Sequence, residues 1–184
     1  MKFRFQPLRA TQAASLLLGL AGGRLDYTML LKLLYLADRR ALLETGSTIT
    51  GDEVVNMARG QVLSAVYDCI KGNRQGDCVS WSRYLHTEGK DLVRISDAGD
   101  GELSDYDVEL LTEVYDAHRT TSLEQVIEEL HQLHEWKDPK PDKSQNVPYE
   151  DILRAGDLSE ETISAYVALN ASTHSLDSLR LVRP

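Results

Sequence analysis

The longest run of apolar positions in this chain lies between Asp26 and Gly46. Within it, Lys32 interrupts apolar residues that would occupy every side of a helix, so one apolar stripe cannot describe the segment. Asp26 can accept hydrogen bonds at the helix N-terminus, and Gly46 suits a left-handed C-terminal position. The pattern predicts a central helix that other elements surround.

Other segments with helical spacing flank this one. We predict them at Leu8–Leu20, Val62–Lys71, Ser104–His118, Leu123–Leu133, Pro148–Ala155 and Ser159–Asn170. Alternating residues predict a short edge strand at Met1–Gln6 and a β-hairpin formed by Cys78–Leu85 and Leu92–Ser96, with an extended linker at Val54-Val55. The predicted fold is mainly α (α+β): a compact bundle of about six or seven helices around the central helix, with a small β-hairpin or short antiparallel sheet.

The loops and the C-terminal end are less regular. Two prolines between Asp138 and Val147 predict a loop of about ten residues. After Asn170 the apolar spacing is weak, so we expect one domain over 1–171 and a tail over 172–184 that is partly disordered unless its leucines pack.

Composition narrows the function classes. A chain of 184 residues that is 42% hydrophobic matches one domain in size. Its net charge of -9 argues against binding to nucleic acid and favours a basic partner protein. We find no apolar stretch that predicts a signal peptide or membrane span. Two cysteines, Cys69 and Cys78, are too few for a disulfide scaffold, so we expect a cytoplasmic protein in a reducing environment, with Cys69 in the core.

No residue pattern predicts catalysis, a cofactor or a metal. His131 and His134 are three residues apart, but the H-E-x-x-H order of zinc enzymes is absent. Asp105 and Asp107 are better explained as the solvated face of a helix than as paired catalytic carboxylates. Neither a nucleophile elbow nor a glycine-rich phosphate loop occurs.

Several segments, in order, resemble the Panacea domain, also called the SocA-like antitoxin domain, of bacteria and their phages. They are LLKLLYLADRRALLETGSTITGDEVVNMARGQVLSAVYDCIKG, LSDYDVELLTEVY, HQLHEWKDP and YEDILRAGDLSEETI, and the resemblance runs from Phe3 to Asn170. It implies a mainly helical domain with a small β element that binds and neutralises a toxin protein, usually encoded beside it. It also implies pairing with toxins of unrelated folds across the family.

The resemblance identifies individual positions, in three patterns. They are Lys32, Leu33, Tyr35, Ala37 and Asp38 in the first, Gly60, Val62, Ser64 and Tyr67 in the second, and His131, Glu135 and Trp136 in the third. Gln61 and His134 stand where the family usually has proline. We expect these family-pattern residues to hold the fold or contact a partner, with Asp38 and His131 forming buried hydrogen bonds between elements.

Three functional hypotheses follow. The first is an antitoxin that binds a toxin directly, and the second is an adaptor that delivers a partner to an ATP-dependent protease. The third belongs to another class, a hydrolase or nucleotide-handling enzyme that uses Lys32, Asp38 and His131. Because Lys32 and Asp38 do not share a helix face, we expect no enzyme activity. The exposed side of the hairpin and the loop from Asp138 to Val147 are the predicted toxin-binding surfaces.

Overall fold

The computed structural model describes residues 1–73, 78–139 and 143–180, with side chains up to Ser172. The helices in this part of the chain are α1 (Pro7–Leu20), α2 (Tyr27–Thr45), α3 (Ser64–Lys71), α4 (Val79–Tyr84), α5 (Asp105–His118), α6 (Leu123–His131), α7 (Tyr149–Ala155) and α8 (Glu160–Arg180). The strands are β1 (Arg24–Asp26), β2 (Val54–Met57), β3 (Gly60–Leu63), β4 (Leu85–Glu88), β5 (Asp91–Arg94) and β6 (Gln145–Asn146). The predicted mainly α fold with a small antiparallel β part is confirmed.

Helix α2 lies at the centre of the molecule. The Asp26 carboxylate accepts hydrogen bonds from the backbone N–H groups of Thr28 and Met29, and Gly46 ends the helix with φ of 73°. Helices α1, α3, α5, α6 and α7 all contact α2. Its buried residues are Leu30, Leu31, Lys32, Leu33, Leu34, Tyr35, Ala37, Asp38, Ala41 and Leu42. Burial on several sides is what apolar residues on every side of the helix require.

The first sheet has the antiparallel order β1-β5-β4. Strands β4 and β5 form a hairpin, and β1 pairs with β5 so that Arg24 lies opposite Val93. The predicted hairpin began too early, because residues 79–84 form helix α4 instead of a strand. Trp81 is the buried residue of α4, whereas Val79 is 67% exposed. Alternation over six residues therefore reflected one packed side chain, which a short helix accommodates as well as a strand does.

The second sheet has the antiparallel order β3-β2-β6. Strands β2 and β3 form a second hairpin, in which Asn56 lies opposite Gln61. The sequence had predicted an extended linker here, followed by a helix from Val62. Gly60 follows the turn with φ of 87°, a conformation that favours glycine. Because β3 extends to Leu63, helix α3 begins two residues later than predicted.

Both ends of the chain differ from the sequence prediction. The edge strand predicted at Met1–Gln6 is absent, because no strand in the described part of the chain pairs with these residues. Instead, the Gln6 N–H donates to the carbonyl of Thr50, which lies in a loop. Helix α8 continues to Arg180 rather than ending near Asn170. The rest of the predicted tail, 181–184, and positions 140–142 of the predicted loop lie outside the described residues. The single domain over 1–171 stays a prediction.

A disulfide joins Cys69, on α3, to Cys78, which precedes α4. The two Cα atoms are 5.4 Å apart, and each residue is 7% exposed. Cys69 lies in the core, as predicted, but its pairing with Cys78 departs from the expectation of two thiols in a reducing environment. The number of cysteines in a sequence does not reveal whether the fold brings two of them together.

Across the described ranges, every helix is too short or too polar to cross a membrane.

Replacing Gly46 by alanine should destabilise the protein more than replacing Gly72. Both glycines have φ near 72°, but a Cβ at position 46 would lie 2.7 Å from the Tyr166 ring, whereas a Cβ at position 72 would have none of the described residues within 4 Å. We expect Gly72→Ala to lower the free energy of unfolding by about 1 kcal/mol and Gly46→Ala by roughly 2–3 kcal/mol, as measured by chemical denaturation. Equal losses would contradict a packing role for Tyr166.

Candidate functional site

Three polar residues of the first family pattern project from α2 into the interior. Lys32, Tyr35 and Asp38 are 1%, 0% and 2% exposed. Burying such groups is unfavourable unless each finds a partner, so the positions of their partners define the site. Each of the three is bonded to a different segment of the chain.

Tyr35 and Arg39 both bind Glu135, which follows α6. Glu135 Oε1 accepts hydrogen bonds from the Tyr35 hydroxyl at 2.7 Å and from Arg39 Nε at 2.6 Å. The Glu135 side chain is fully buried, and the Arg39 guanidinium compensates its charge. Burial, together with the nearby Glu135 carboxylate, raises the pKa of Tyr35 well above its usual value. This cluster joins α2 to the segment after α6.

Lys32 binds the second sheet. Its Nζ donates to the Gln61 carbonyl at 2.8 Å, so its partner in the described structure is a backbone oxygen rather than a carboxylate. Burial, with a smaller contribution from Arg59, lowers the pKa of Lys32 to about 7. A Cβ on Gly60 would lie 3.5 Å from Lys32 Nζ, an ordinary van der Waals distance, so the positive φ of Gly60, rather than the amine, favours glycine at this position.

Asp38 holds the loop that follows α2. Its carboxylate accepts from the backbone N–H groups of Ile49, at 2.9 Å, and Thr50, at 3.0 Å, and from the Thr50 hydroxyl. Burial raises the pKa of Asp38 to about 7, while the hydrogen bonds from Thr50 act in the opposite direction. The hydrogen-bonding role expected for Asp38 is therefore visible in the structure.

His131 contacts Trp136 by ring stacking. The two ring centroids are 4.0 Å apart, and the planes differ by 25°. His131 Nε2 and Trp136 Nε1 are buried and have no hydrogen-bond partner among the described atoms. We expected a buried hydrogen bond from His131. In the structure the His131 ring stacks on Trp136 instead, and Nε2 has no hydrogen-bond partner among the described atoms. His134 is exposed and stands apart from this contact.

The remaining residues of the second pattern lie on β3 and α3. Val62 is buried in the core. Tyr67 is half-buried, and Lys71 Nζ lies 5.4 Å from its ring centroid. Lys71 also donates to the Tyr27 hydroxyl at 2.8 Å. Tyr67 therefore belongs to a partly exposed surface, unlike the residues on α2.

Sequence reasoning missed Asp52, which is 1% exposed. Its carboxylate accepts from the backbone N–H groups of Ala65, at 2.9 Å, and Val66, at 2.8 Å, and so caps α3 from a distance. Tyr149 donates to the Asp52 carbonyl at 2.5 Å. A helix cap is recognised in sequence by its position next to the helix, and Asp52 precedes α3 by a whole β-hairpin.

The sequence also provided no signal for the environment of Gln61 and Asn56. Gln61 is fully buried, and both its amide atoms lack a partner within the described residues. Asn56 Nδ2 donates to the Glu135 carbonyl at 3.3 Å. Both residues lie on a sheet that the sequence did not predict.

The structure does not assemble the suggested enzyme residues into one site. The partners of Lys32, Asp38 and His131 are β3, the loop at residues 49–50 and Trp136, respectively. Among the side chains of residues 1–73, 78–139 and 143–172, no group of three His, Cys, Asp or Glu could hold a metal ion. Lys32 and Asp38 join α2 to its surroundings, whereas His131 stacks on a nearby residue of the segment after α6.

Comparison with family models identifies the chain. The model of the antitoxin SocA-like Panacea domain matches residues 30–137, which is more than half of the 184 residues. The chain belongs to this SocA-like antitoxin family. The match contains all of α2 except its first three residues, both hairpins, α5, α6 and every family-pattern residue, but it is shorter than the resemblance seen from Phe3 to Asn170. Searches of curated proteins and of solved structures each found no significant match.

Removing the Glu135 carboxylate should destabilise this Panacea domain strongly. Glu135→Ala would leave the buried Tyr35 hydroxyl and the Arg39 guanidinium without their partner. We expect a loss of about 3 kcal/mol or more in the free energy of unfolding, measured with urea. Glu113→Ala is the matched control, because Glu113 also pairs with an arginine but is 48% exposed, and should change stability by about 0.5 kcal/mol or less. Similar effects for both variants would contradict the assignment.

The Asp38→Asn variant should alter how stability depends on pH. The folded-state pKa of about 7 lies above the ordinary value of 3.8, so between these pH values the folded state binds more protons than the unfolded state. Asp38 therefore makes the wild-type protein less stable as pH rises from 4 to 7, and asparagine removes this contribution while keeping an acceptor for Ile49 and Thr50. We expect the stability of wild type relative to Asp38→Asn to fall across this range. We would measure the free energy of unfolding of both proteins by urea denaturation at each pH. A difference between them that stays constant from pH 4 to 7 would refute this role of Asp38.

Proposed function

We propose that this protein is an antitoxin that neutralises a cognate toxin by direct protein-protein contact in the cytoplasm, without catalytic turnover. The observation that carries the proposal is the family match over residues 30–137. The toxin would be encoded beside this chain, as the family resemblance implies.

The positions of the family-pattern residues support a binding role. Lys32, Tyr35, Asp38 and Glu135 are buried and hydrogen-bonded to the protein itself. Such residues preserve a scaffold, whereas the exposed surface is free to differ between members that bind different toxins. The partners of Lys32 and Asp38 lie on separate segments, which also favours a protein without an active site in this region.

The charge on α5 supports a basic partner. Asp105, Glu109, Glu113 and Asp116 are exposed on this helix, and the net charge of the chain is -9. A groove of about 240 Å³ beside them is lined by Arg40, Tyr106, Glu109, Leu110 and Glu113. Exposed carboxylates of one sign accelerate encounter with a cationic surface, and salt weakens the effect.

Co-expression with the product of the adjacent gene tests the proposal. We expect the neighbour to arrest growth alone, growth to recover with this protein, and both chains to co-purify in a stable complex. A neighbour that is harmless alone and does not co-purify would disprove the antitoxin assignment for this chain.

The charge on α5 has its own test on the purified complex. Asp105→Asn/Glu109→Gln/Asp116→Asn should reduce the association rate constant about tenfold at low salt and much less at high salt. The control Glu124→Gln/Glu128→Gln/Glu129→Gln removes the same charge from α6. Equal slowing by both variants would mean that total charge, rather than the α5 surface, guides association.

Two further measurements address the other functions. A toxin half-life that shortens only when this protein and an ATP-dependent protease are present would favour an adaptor over sequestration. Loss of function in His131→Ala, with stability and toxin affinity unchanged, would favour an enzyme.

A further inference from the structure

The disulfide between Cys69 and Cys78 connects two parts of the molecule that are also held independently. Helix α3 is capped by the Asp52 carboxylate and continues directly from β3. On the other side, α4 packs on α1, where the Thr11 hydroxyl lies 3.4 Å from Ser80 Oγ, and Trp81 is 3% exposed. Each part therefore has contacts of its own that do not involve the bridge.

A non-covalent contact joins the same two parts. The Thr87 hydroxyl of β4 donates to the Ile70 carbonyl, next to Cys69, at 3.1 Å. Because Leu85 both caps α4 and begins β4, this bond holds the segment that contains Cys78 close to α3. The two thiols of a reduced protein would therefore stay within reach of each other, as a reversible couple requires.

The bridge is buried but adjoins an exposed residue. Both cysteines are 7% exposed and belong to the hydrophobic core, whereas Val79, the neighbour of Cys78, is 67% exposed. A local opening of the chain at Val79 would admit a low-molecular-weight thiol or disulfide without global unfolding.

We propose that Cys69 and Cys78 form a reversible thiol-disulfide exchange site for a small thiol of the glutathione type, which controls how firmly α4 and β4 are held to α3. In the oxidising direction, one protein thiolate attacks glutathione disulfide and releases one glutathione thiolate. The second protein thiolate then attacks the mixed disulfide, forms the Cys69–Cys78 bond and releases the second glutathione. Two protein thiols and one glutathione disulfide thus become one protein disulfide and two reduced glutathione molecules.

The site suits the proposed cytoplasmic location, where most protein disulfides are transient or respond to redox conditions. That location rests on the proposed antitoxin function, whereas the chemistry of the two cysteines does not. A redox titration without toxin therefore fails or succeeds independently of toxin neutralisation.

The test equilibrates the full-length protein in glutathione buffers of varying ratio, followed by alkylation and mass spectrometry. We expect the folded protein to change reversibly between the disulfide and dithiol forms. Half of the protein should be oxidised at a reduced-to-oxidised glutathione ratio that is reached with millimolar total glutathione. A chain that stays oxidised until it is denatured, or one that never oxidises while folded, would overturn the proposal.

The structural consequence has a separate readout. The oxidised form should have a Tm higher by roughly 5 °C or more, and slower hydrogen exchange at the backbone amides of 79–88. The Cys69→Ser/Cys78→Ser control should show the same Tm and exchange in both buffers, and Cys69→Ser alone should retain one bound glutathione. Identical Tm and exchange for the two forms of the wild-type protein would refute control of α4 and β4 by the bridge.

Discussion

The fold depends on satisfying the polar groups that α2 carries into the interior. An isolated buried charge is strongly unfavourable, so the segments that supply partners to Lys32, Tyr35 and Asp38 must be placed accurately around this helix. Strand β3 supplies a carbonyl, the turn after α6 supplies Glu135, and the loop after α2 supplies two N–H groups. These bonds fix one arrangement of segments around α2 where apolar contacts alone would permit several.

In this arrangement the residues typical of the family do not meet at one site. A lysine, a tyrosine and an aspartate on one helix suggest chemistry when they are read as a pattern, but each is bonded to a different part of the protein. Their common property is burial. For the proposed antitoxin function, this separation would allow exposed surfaces such as α5 to change while the buried network stays intact.

The molecule also shows two kinds of connection between distant segments. Asn56, on the second sheet, donates a hydrogen bond to the Glu135 carbonyl. Helix α3 is joined to the first sheet by the Thr87 hydroxyl and to the start of α4 by the Cys69–Cys78 bridge. The buried hydrogen bonds near α2 are shielded from solvent, and they contain no group that a thiol or disulfide could oxidise or reduce. The bridge is also buried but adjoins the exposed Val79. The proposed exchange there would loosen or tighten the attachment of α4 and β4 to α3 and leave the network around α2 unchanged.

Local patterns were sufficient to predict much of the helical structure. The caps Asp26, Ser104 and Ser122, together with Gly46, act within a few residues of the helices they start or end, so the sequence alone determined those boundaries. Family-pattern positions were also recognisable from sequence, although their structural roles were not.

Tertiary structure decided which polar groups meet. Tyr35 and Glu135 are one hundred residues apart, and Asp52 caps α3 across a hairpin, so no local spacing links either pair. The alternation around Trp81 predicted a strand, and this prediction was wrong. A period of two over six residues is also consistent with a short helix that packs one side chain. Contacts between distant segments depend on how the elements pack together, and this packing fixed the α2 network and the disulfide.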